Sequence, residues 1–506
     1  MDKTTLQLTP GLTPLLGYSL LIGLGVASLV LAFFIRRVLV RNTHDFIISG
    51  RKIGFGFGVG SVISVWTWSM AVMMTSAMTF EWGLSGLFWF VVPNGLAIML
   101  LVPFTRILRR QMPNGYTISE FTKNRFNQSG VATSIVTLTM IFGIILEILI
   151  NLKGTSVVMS TVFGIDWTYA ALVGLLSVLA YSYFGGLWTS VMTGTINLLM
   201  ITVPAAIIVA LAFDAVPGGT AAVVQRVGEA NPDNLSVLRW DAAAGFGITL
   251  ALGIFAAAIA DQTFWQKAWA IKAEYVNRTF VWAGALFYPI PIALGTLGLI
   301  GIAYGLTPAD IGGDTAAIGP YLISHLGLPL FIVVIYVLMI LAACYSTIDG
   351  ASSALSSIVA VDIVKRFAPG TTESALFLIT KVSILAGGLI AFLIVLSGVD
   401  FTTLVLTTYA LKSSILLPLV LAILWPRTTT LGFVSGIVLA ILVGMPIRHL
   451  YGDLIGTISI VGISGLTVVI GALLQPQRFD YADLRKTNDI ALGHPSNGAA
   501  IASPAE

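Results

Sequence analysis

Ser64, Thr67 and Ser69 lie close together inside an apolar run, and Ser346 and Thr347 lie together inside another. Hydroxyl and main-chain oxygens of this kind suit a hard monovalent cation such as Na⁺, which wants several oxygen ligands and little counter-charge. The first group sits in "SVWTWS" (64–69), with no charged residue and with two indoles, Trp66 and Trp68. The second opens "YSTIDGASSALSS" (345–357), where Ser346, Gly350, Ser353 or Ala354, and Ser357 recur every three or four residues. That spacing gives one helical face of small residues, along which another helix can approach closely. For Ser353 to Ser357 the reading is packing alone. For Ser346 and Thr347 it is pairing with a broken helix elsewhere. Polar backbone at membrane depth is tolerated only where it lines a cavity or is buried in protein. Both stretches, 64–69 and the one around 346, therefore read as interrupted spans.

The elements that hold these residues are membrane spans. The chain has 506 residues, is 57% hydrophobic and only 10% charged, against about 25% charged for a soluble domain. Runs of about 20 apolar residues give thirteen spans: 13–35, 54–80, 84–107, 130–162, 165–185, 188–213, 242–265, 277–304, 328–352, 376–398, 401–425, 429–447 and 454–475. With thirteen crossings nearly all Lys and Arg fall in loops on one side, which predicts an outside N-terminus and a cytoplasmic C-terminus in the plasma (inner) membrane. One cysteine, Cys344, leaves no disulfide within the chain. The N-terminal stretch carries no cleavable-signal pattern. "GFGFGVG" (54–60) is no phosphate loop, since no Gly-Lys-Ser/Thr follows, so an ATP-driven pump is not expected. The net charge of +3 is spread through loops and implies no nucleic-acid partner. Loops 214–241 and 305–327 are rich in Gly, Pro and Asp, and the tail beyond Lys486 is expected to be disordered.

Ionisable groups within spans default to function. Glu147 and Lys153 share span four. Lys412, in the middle of span eleven, is expected to pair with Glu147 or Asp349, or to stand in for an ion. Asp349 points about 200° away from Thr347 on a helix and suits an inner gate better than a ligand. Asp261 and Gln262 close span seven, with Asp261 expected in an ion pair and Gln262 weighed as a solute contact. Lys381 is expected to snorkel to the span end, and Lys153 either to snorkel or to pair with another helix. The four histidines, His44, His325, His449 and His494, fall in loops or the tail.

The segments "SGRKIGFGFGVGSVISVWTWS" (49–69), "YSYFGGLWTSVMTGTIN" (181–197), "ADQTFWQKAWAIKA" (260–273) and "YSTIDGASSALSSIVAVDI" (345–363) resemble the solute:sodium symporter family, in order and along nearly the whole chain. "GLSGLFWF" (83–90) and "PNGYTISEF" (113–121) are most similar to its urea active transporter branch. The resemblance implies an all-α polytopic membrane protein of about thirteen helices, with a five-plus-five inverted-repeat core and a broken first helix in each repeat. Residues 54–213 would form the first repeat. Residues 242–447 would form the second together with span twelve. They would be flanked by 1–53, loop 214–241, helix 454–475 and tail 476–506. It also implies Na⁺ coupling through Ser64, Thr67, Ala343, Ser346 and Thr347. The relatives' Asp linked with a second sodium is replaced by Gly194, so one Na⁺ per cycle is expected. Trp66, Trp68, Gln262 and Trp265 are the expected solute contacts. An aromatic pocket with few polar groups suits urea or another compact solute better than a hexose, with a short carboxylate or amino acid as runner-up. Competing readings are a proton-coupled transporter and a sensor or channel-like solute binder. An intramembrane enzyme is the least supported, for want of any catalytic constellation.

Overall fold

The computed structural model describes residues 3–398 and 401–486. The expectation of tail disorder, and His494, lie outside the described residues. Among those residues the protein is helical, with two isolated bridges and no extended strand. Thirteen segments carry the architecture: α1 (Pro14–Leu39), α2 (Phe55–Trp66), α3 (Met70–Gln111), α4 (Gly130–Phe163), α5 (Trp167–Ala215), α6 (Trp240–Ile259), α7 (Gln262–Ala270), α8 (Val276–Ala303), α9 (Leu330–Phe367), α10 (Glu373–Val395), α11 (Phe401–Leu424), α12 (Thr430–Tyr451) and α13 (Asp453–Leu474). Eleven of these are long and apolar enough to cross a membrane; α2 and α7 are the short ones.

Two of the eleven are too long to cross once. At 1.5 Å per residue, the 49 residues of α5 would run about 74 Å, against a hydrocarbon core of about 30 Å. The chain turns at Gly186 (φ 55°, ψ −145°), in a region open in practice only to glycine. Ser182 and Thr193 both hydrogen-bond the Asp349 carboxylate. On a straight helix they would stand about 16 Å apart, so α5 is two antiparallel spans. Gly83 (φ 62°, ψ −149°) does the same in α3 and returns Asn94 to the side of Trp66. Counting each of these two helices as two spans brings the eleven to about the thirteen expected.

The parity of the loops follows. Arg51 reaches Asn114, Gly115 and Trp269, Arg366 reaches Gly130, and Arg125 reaches Ala422, Trp425 and Thr428, so the basic loops gather at one end. At the other end Lys3 meets Asp310, Gln7 pairs with His325, and Arg239 meets Ser85. Helix starts follow from capping side chains: Thr13 before Pro14, Ser129, Asp166, Thr372 and Thr429 each accept a first-turn N–H.

Several expectations need correction. Span nine is not interrupted: α9 runs helical from Leu330 through Ile358 before a wide turn at Val359–Val364. The second break lies in span seven, between α6 and α7, where Ala260 and Asp261 leave helical geometry. A face of small hydroxyl residues packs as a close helix contact just as well as it unwinds, and here it packs. Loops 214–241 and 305–327 contain helices, Gly219–Ala230 and Ile318–His325. His44 is buried on a short helix, Thr43–Ile48, with Nδ1 2.7 Å from the Tyr116 hydroxyl. Lys381 does not snorkel to solvent; it is buried with its ammonium 4.1 Å from the Tyr183 ring centre. Lys153 is half-buried beside the Trp167 ring.

Candidate functional site

The break after α2 begins with a run of poor helix formers, Val65-Trp66-Thr67-Trp68. In an unbroken helix the Ser69 N–H would bond the Val65 carbonyl. Instead it donates to Asn151 Oδ1 on α4 (2.9 Å), and Asn151 is itself held by donating to the Glu147 carbonyl (2.8 Å). Thr67 turns its hydroxyl back to the Ile63 carbonyl (2.7 Å). The Val65 carbonyl is therefore free of its helix partner. Thr347 Oγ1 lies 3.1 Å from it, and Ser346 Oγ lies 2.9 Å from the Ser64 carbonyl. The same two hydroxyls sit 3.0 and 3.1 Å from the Ala343 carbonyl.

Five oxygens thus converge: three carbonyls (Ser64, Val65, Ala343) and two hydroxyls. Each hydroxyl has one proton to donate, yet the cluster holds four hydroxyl–carbonyl approaches of 2.9–3.1 Å. Two protons are thus shared among four approaches. Such a set fits a hard cation, whose charge would satisfy the oxygens that hydrogen cannot. Of the expected ligands, Ser64, Ala343, Ser346 and Thr347 are brought together. The contribution expected of Thr67 is its main-chain oxygen; the second α2 carbonyl that a hydroxyl of α9 approaches is that of Val65. A backbone carbonyl carries no residue signature, so Val65 had none to show.

The small-residue face of α9 explains how the cluster closes. A Cβ on Gly350 would lie 2.6 Å from Val65 Cγ2, so only glycine lets α2 come this near. A Cβ on Gly194 would lie 2.5 Å from Ser64 Oγ. The space beside Gly194 is filled by the Ser64 side chain.

Further along the same face, Gln266 Nε2 reaches Ser353 O (3.1 Å) and Ile47 O (2.6 Å). Gln262 gives Nε2 to Tyr116 O (2.9 Å) and lies 3.3 Å from Ser357 Oγ, while its Oε1 accepts from Ile118 N (3.0 Å). Trp269 Nε1 donates to Met112 O (2.8 Å). These contacts pin α7 to the basic-end loops. Gln262, weighed as a solute contact, has its amide engaged in this clamp. Trp265 likewise spends its N–H on Ile259 O (2.8 Å).

Between the two breaks lies the aromatic and charged centre. The Trp66 ring meets Trp68 and Phe264 with centroids 6.0 and 5.0 Å apart, and its N–H donates to Asn94 O (3.2 Å). Lys412 forms an ion pair with Glu147, one of its two expected partners, and lies 5.5 Å from the Trp68 ring centre. Asp261 is not in a direct ion pair: it caps α7 by accepting Thr263 N (2.7 Å). Asp349 accepts from Ser182 Oγ at 2.5 Å. Trp66, Trp68, Glu147, Asp261, Asp349 and Lys412 are all at most 2% exposed. The six form a centre closed off from solvent.

Residues 46–440 match the sodium:solute symporter family. The chain belongs to that family. Among curated relatives, a urea-proton symporter, DUR3, of Oryza sativa subsp. japonica is 22% identical, covering 94% of this chain and 73% of that protein. A probable urea active transporter 1 of Schizosaccharomyces pombe is 24% identical, covering 94% and 79%. The outward-open, substrate-bound structure of a Na⁺-coupled sialic acid symporter superposes with a TM-score of 0.77 at 20% identity, covering 92% of this chain and 98% of that one. At that identity the likeness shows the fold. The protein is thus a multi-pass membrane transporter, a solute symporter by family.

Proposed function

We propose that this symporter couples entry of a small polar solute, urea foremost, to Na⁺ bound at Ser64, Val65, Ala343, Ser346 and Thr347. The observation that carries the reading is the five-oxygen cluster, with more oxygen approaches than protons. Bound there, Na⁺ would supply the charge that holds the broken α2 against α9. A cation that binds the α2–α9 contact better when it is formed shifts the protein towards that state. The solute would sit beside Trp66 and Trp68, between the two breaks. The clamp from α7 to Tyr116, Ile118, Met112 and Ile47 would open to release solute and ion inward. In this reading 54–213 and 242–447 hold the two inverted repeats, each opening on a broken helix, as secondary transporters commonly do. The basic loops would face the cytoplasm, the N-terminus the outside, and the membrane would be the plasma (inner) membrane.

A second reading, proton coupling, is favoured by one observation: the Oryza relative is named a urea-proton symporter. Uptake of radiolabelled urea into proteoliposomes separates the two. Accumulation driven by an imposed Na⁺ gradient at equal pH supports the sodium reading. Accumulation driven by a pH gradient without Na⁺, and indifferent to Na⁺, overturns it.

A further inference from the structure

Three buried polar atoms around the Glu147–Lys412 pair have no hydrogen-bond partner: Glu147 Oε2, Asp261 Oδ2 and Trp68 Nε1. Each belongs to a residue at most 1% exposed, and an unpaired buried polar group of this kind costs about 1–3 kcal/mol. They gather in one place. Lys412 holds Glu147 and lies 5.5 Å from the Trp68 ring centre. A methyl group built on Gly143, one turn before Glu147, would fall 3.0 Å from Lys412 Cε and 3.9 Å from the Ala260 carbonyl. The tip of Lys412 therefore adjoins the break in span seven, and Asp261, next along the chain, is near enough to Glu147 to act on it electrostatically.

Two carboxylate oxygens can only accept, and an indole N–H can only donate. A ligand that satisfies all three must offer N–H donors and one acceptor oxygen. Carboxylates outnumber ammonium groups here: Glu147 faces Lys412, while Asp261 and Asp349 share Lys267. An anionic solute would add to that carboxylate excess in a dry core, whereas a neutral one adds no charge. The geometry points to a specificity site for neutral planar amides, whose NH₂ groups donate to Glu147 and Asp261 and whose carbonyl accepts from Trp68. Guanidinium has the donors but lacks the acceptor and carries charge; a fully N-methylated urea has the acceptor but no donor. Lys412 is a positioning residue that aims Glu147. The inference rests on the transport reading above and assigns the solute-selecting groups within it.

The test is equilibrium binding of radiolabelled urea to the purified full chain, in Na⁺, with Trp68→Phe and Asp261→Asn. The first keeps the ring and removes the N–H. The second keeps the helix cap and turns an acceptor into a donor. Loss of a hydrogen bond to a charged group corresponds to about ten- to a hundredfold in affinity, and that loss is expected for Asp261→Asn. About tenfold is expected for Trp68→Phe. Acetamide should compete with urea, whereas tetramethylurea and guanidinium should not. Urea binding within twofold of the parent in both variants, absence of urea binding in the parent, or competition by tetramethylurea equal to acetamide overturns the assignment. If Asp261→Asn does not fold, Trp68→Phe decides. Thermal stabilisation by Na⁺ without urea is measured alongside: its presence with no amide binding sinks this inference alone, and its absence in the parent sinks the sodium reading.

Discussion

Lys412→Met removes the ammonium from a buried ion pair and leaves the Glu147 carboxylate with no direct cationic partner, near a second carboxylate, Asp261, and the more weakly acting Lys267. Both partners are buried, 1% and 2% exposed at the side chain, so water cannot replace the lost contact. Breaking such a pair from one side costs about 3–5 kcal/mol. Replacing both, in Glu147→Gln/Lys412→Met, leaves no orphan charge and should be close to neutral. The two single changes and the double therefore form a cycle with a coupling of at least about 2 kcal/mol. Reversible unfolding of the purified protein in mixed micelles of rising SDS content measures all four corners. Single variants costing under about 1 kcal/mol, or singles that simply add, would refute the claim that the pair is desolvated and direct.

Three further outcomes follow from particular contacts. Arg51→Ala deletes guanidinium bonds to Asn114 O (2.6 Å), Gly115 O (2.8 Å) and Trp269 O (3.2 Å). It should loosen the basic-end clamp, so that a cysteine placed at Ser357 labels several-fold faster with an aqueous maleimide; an unchanged rate contradicts the clamp. Burial raises the Glu120 carboxyl from 4.5 to about 7, against the lowering effect of the Tyr116 N–H it accepts. The folded state therefore holds a proton that the unfolded chain releases. Glu120's contribution is fully present below pH 4.5 and lost as pH rises through about 7, by up to about 3 kcal/mol. Unfolding midpoints across that range should fall, and Glu120→Gln should flatten the slope. Gly186→Ala forces a side chain into φ 55°, ψ −145° with its Cβ 2.4 Å from the Phe46 carbonyl. It should cost at least about 1–3 kcal/mol and sharply lower the yield of monodisperse protein, whereas a normal yield would argue against a reversal there.

The sequence revealed the apolar runs, the thirteen crossings and the break at 64–69, because length, charge and a cluster of poor helix formers leave direct marks. The residue pattern alone put the second break in span nine, whereas the broken first helix of the second repeat implied by the family resemblance falls where the break is, in span seven. Small hydroxyl residues on α9 read equally well as an unwound strip or a tight packing face, and only contact with Val65 decides between them. The true interruption at Ala260–Asp261 is a two-residue event whose one local signal is a capping Asp. Asn151, which captures Ser69 and frees the Val65 carbonyl, was legible only as a polar residue in an apolar span. Gln262 was equally ambiguous: an amide near a break suits a solute or a backbone clamp, and the partners Tyr116 and Ile118 lie more than a hundred residues away in sequence. The pairing of Lys412 with Glu147 was legible because a mid-span ammonium requires a buried partner.

The most direct measurement of the central claim is ²²Na⁺ binding to the purified chain, beside a Ser346→Ala/Thr347→Ala variant that removes two of the five oxygens and none of the charges. Saturable binding in the parent at one ion per chain, reduced at least about tenfold in affinity in the variant, is the result this account predicts. Equal binding in both, or none in the parent at physiological Na⁺, would contradict it.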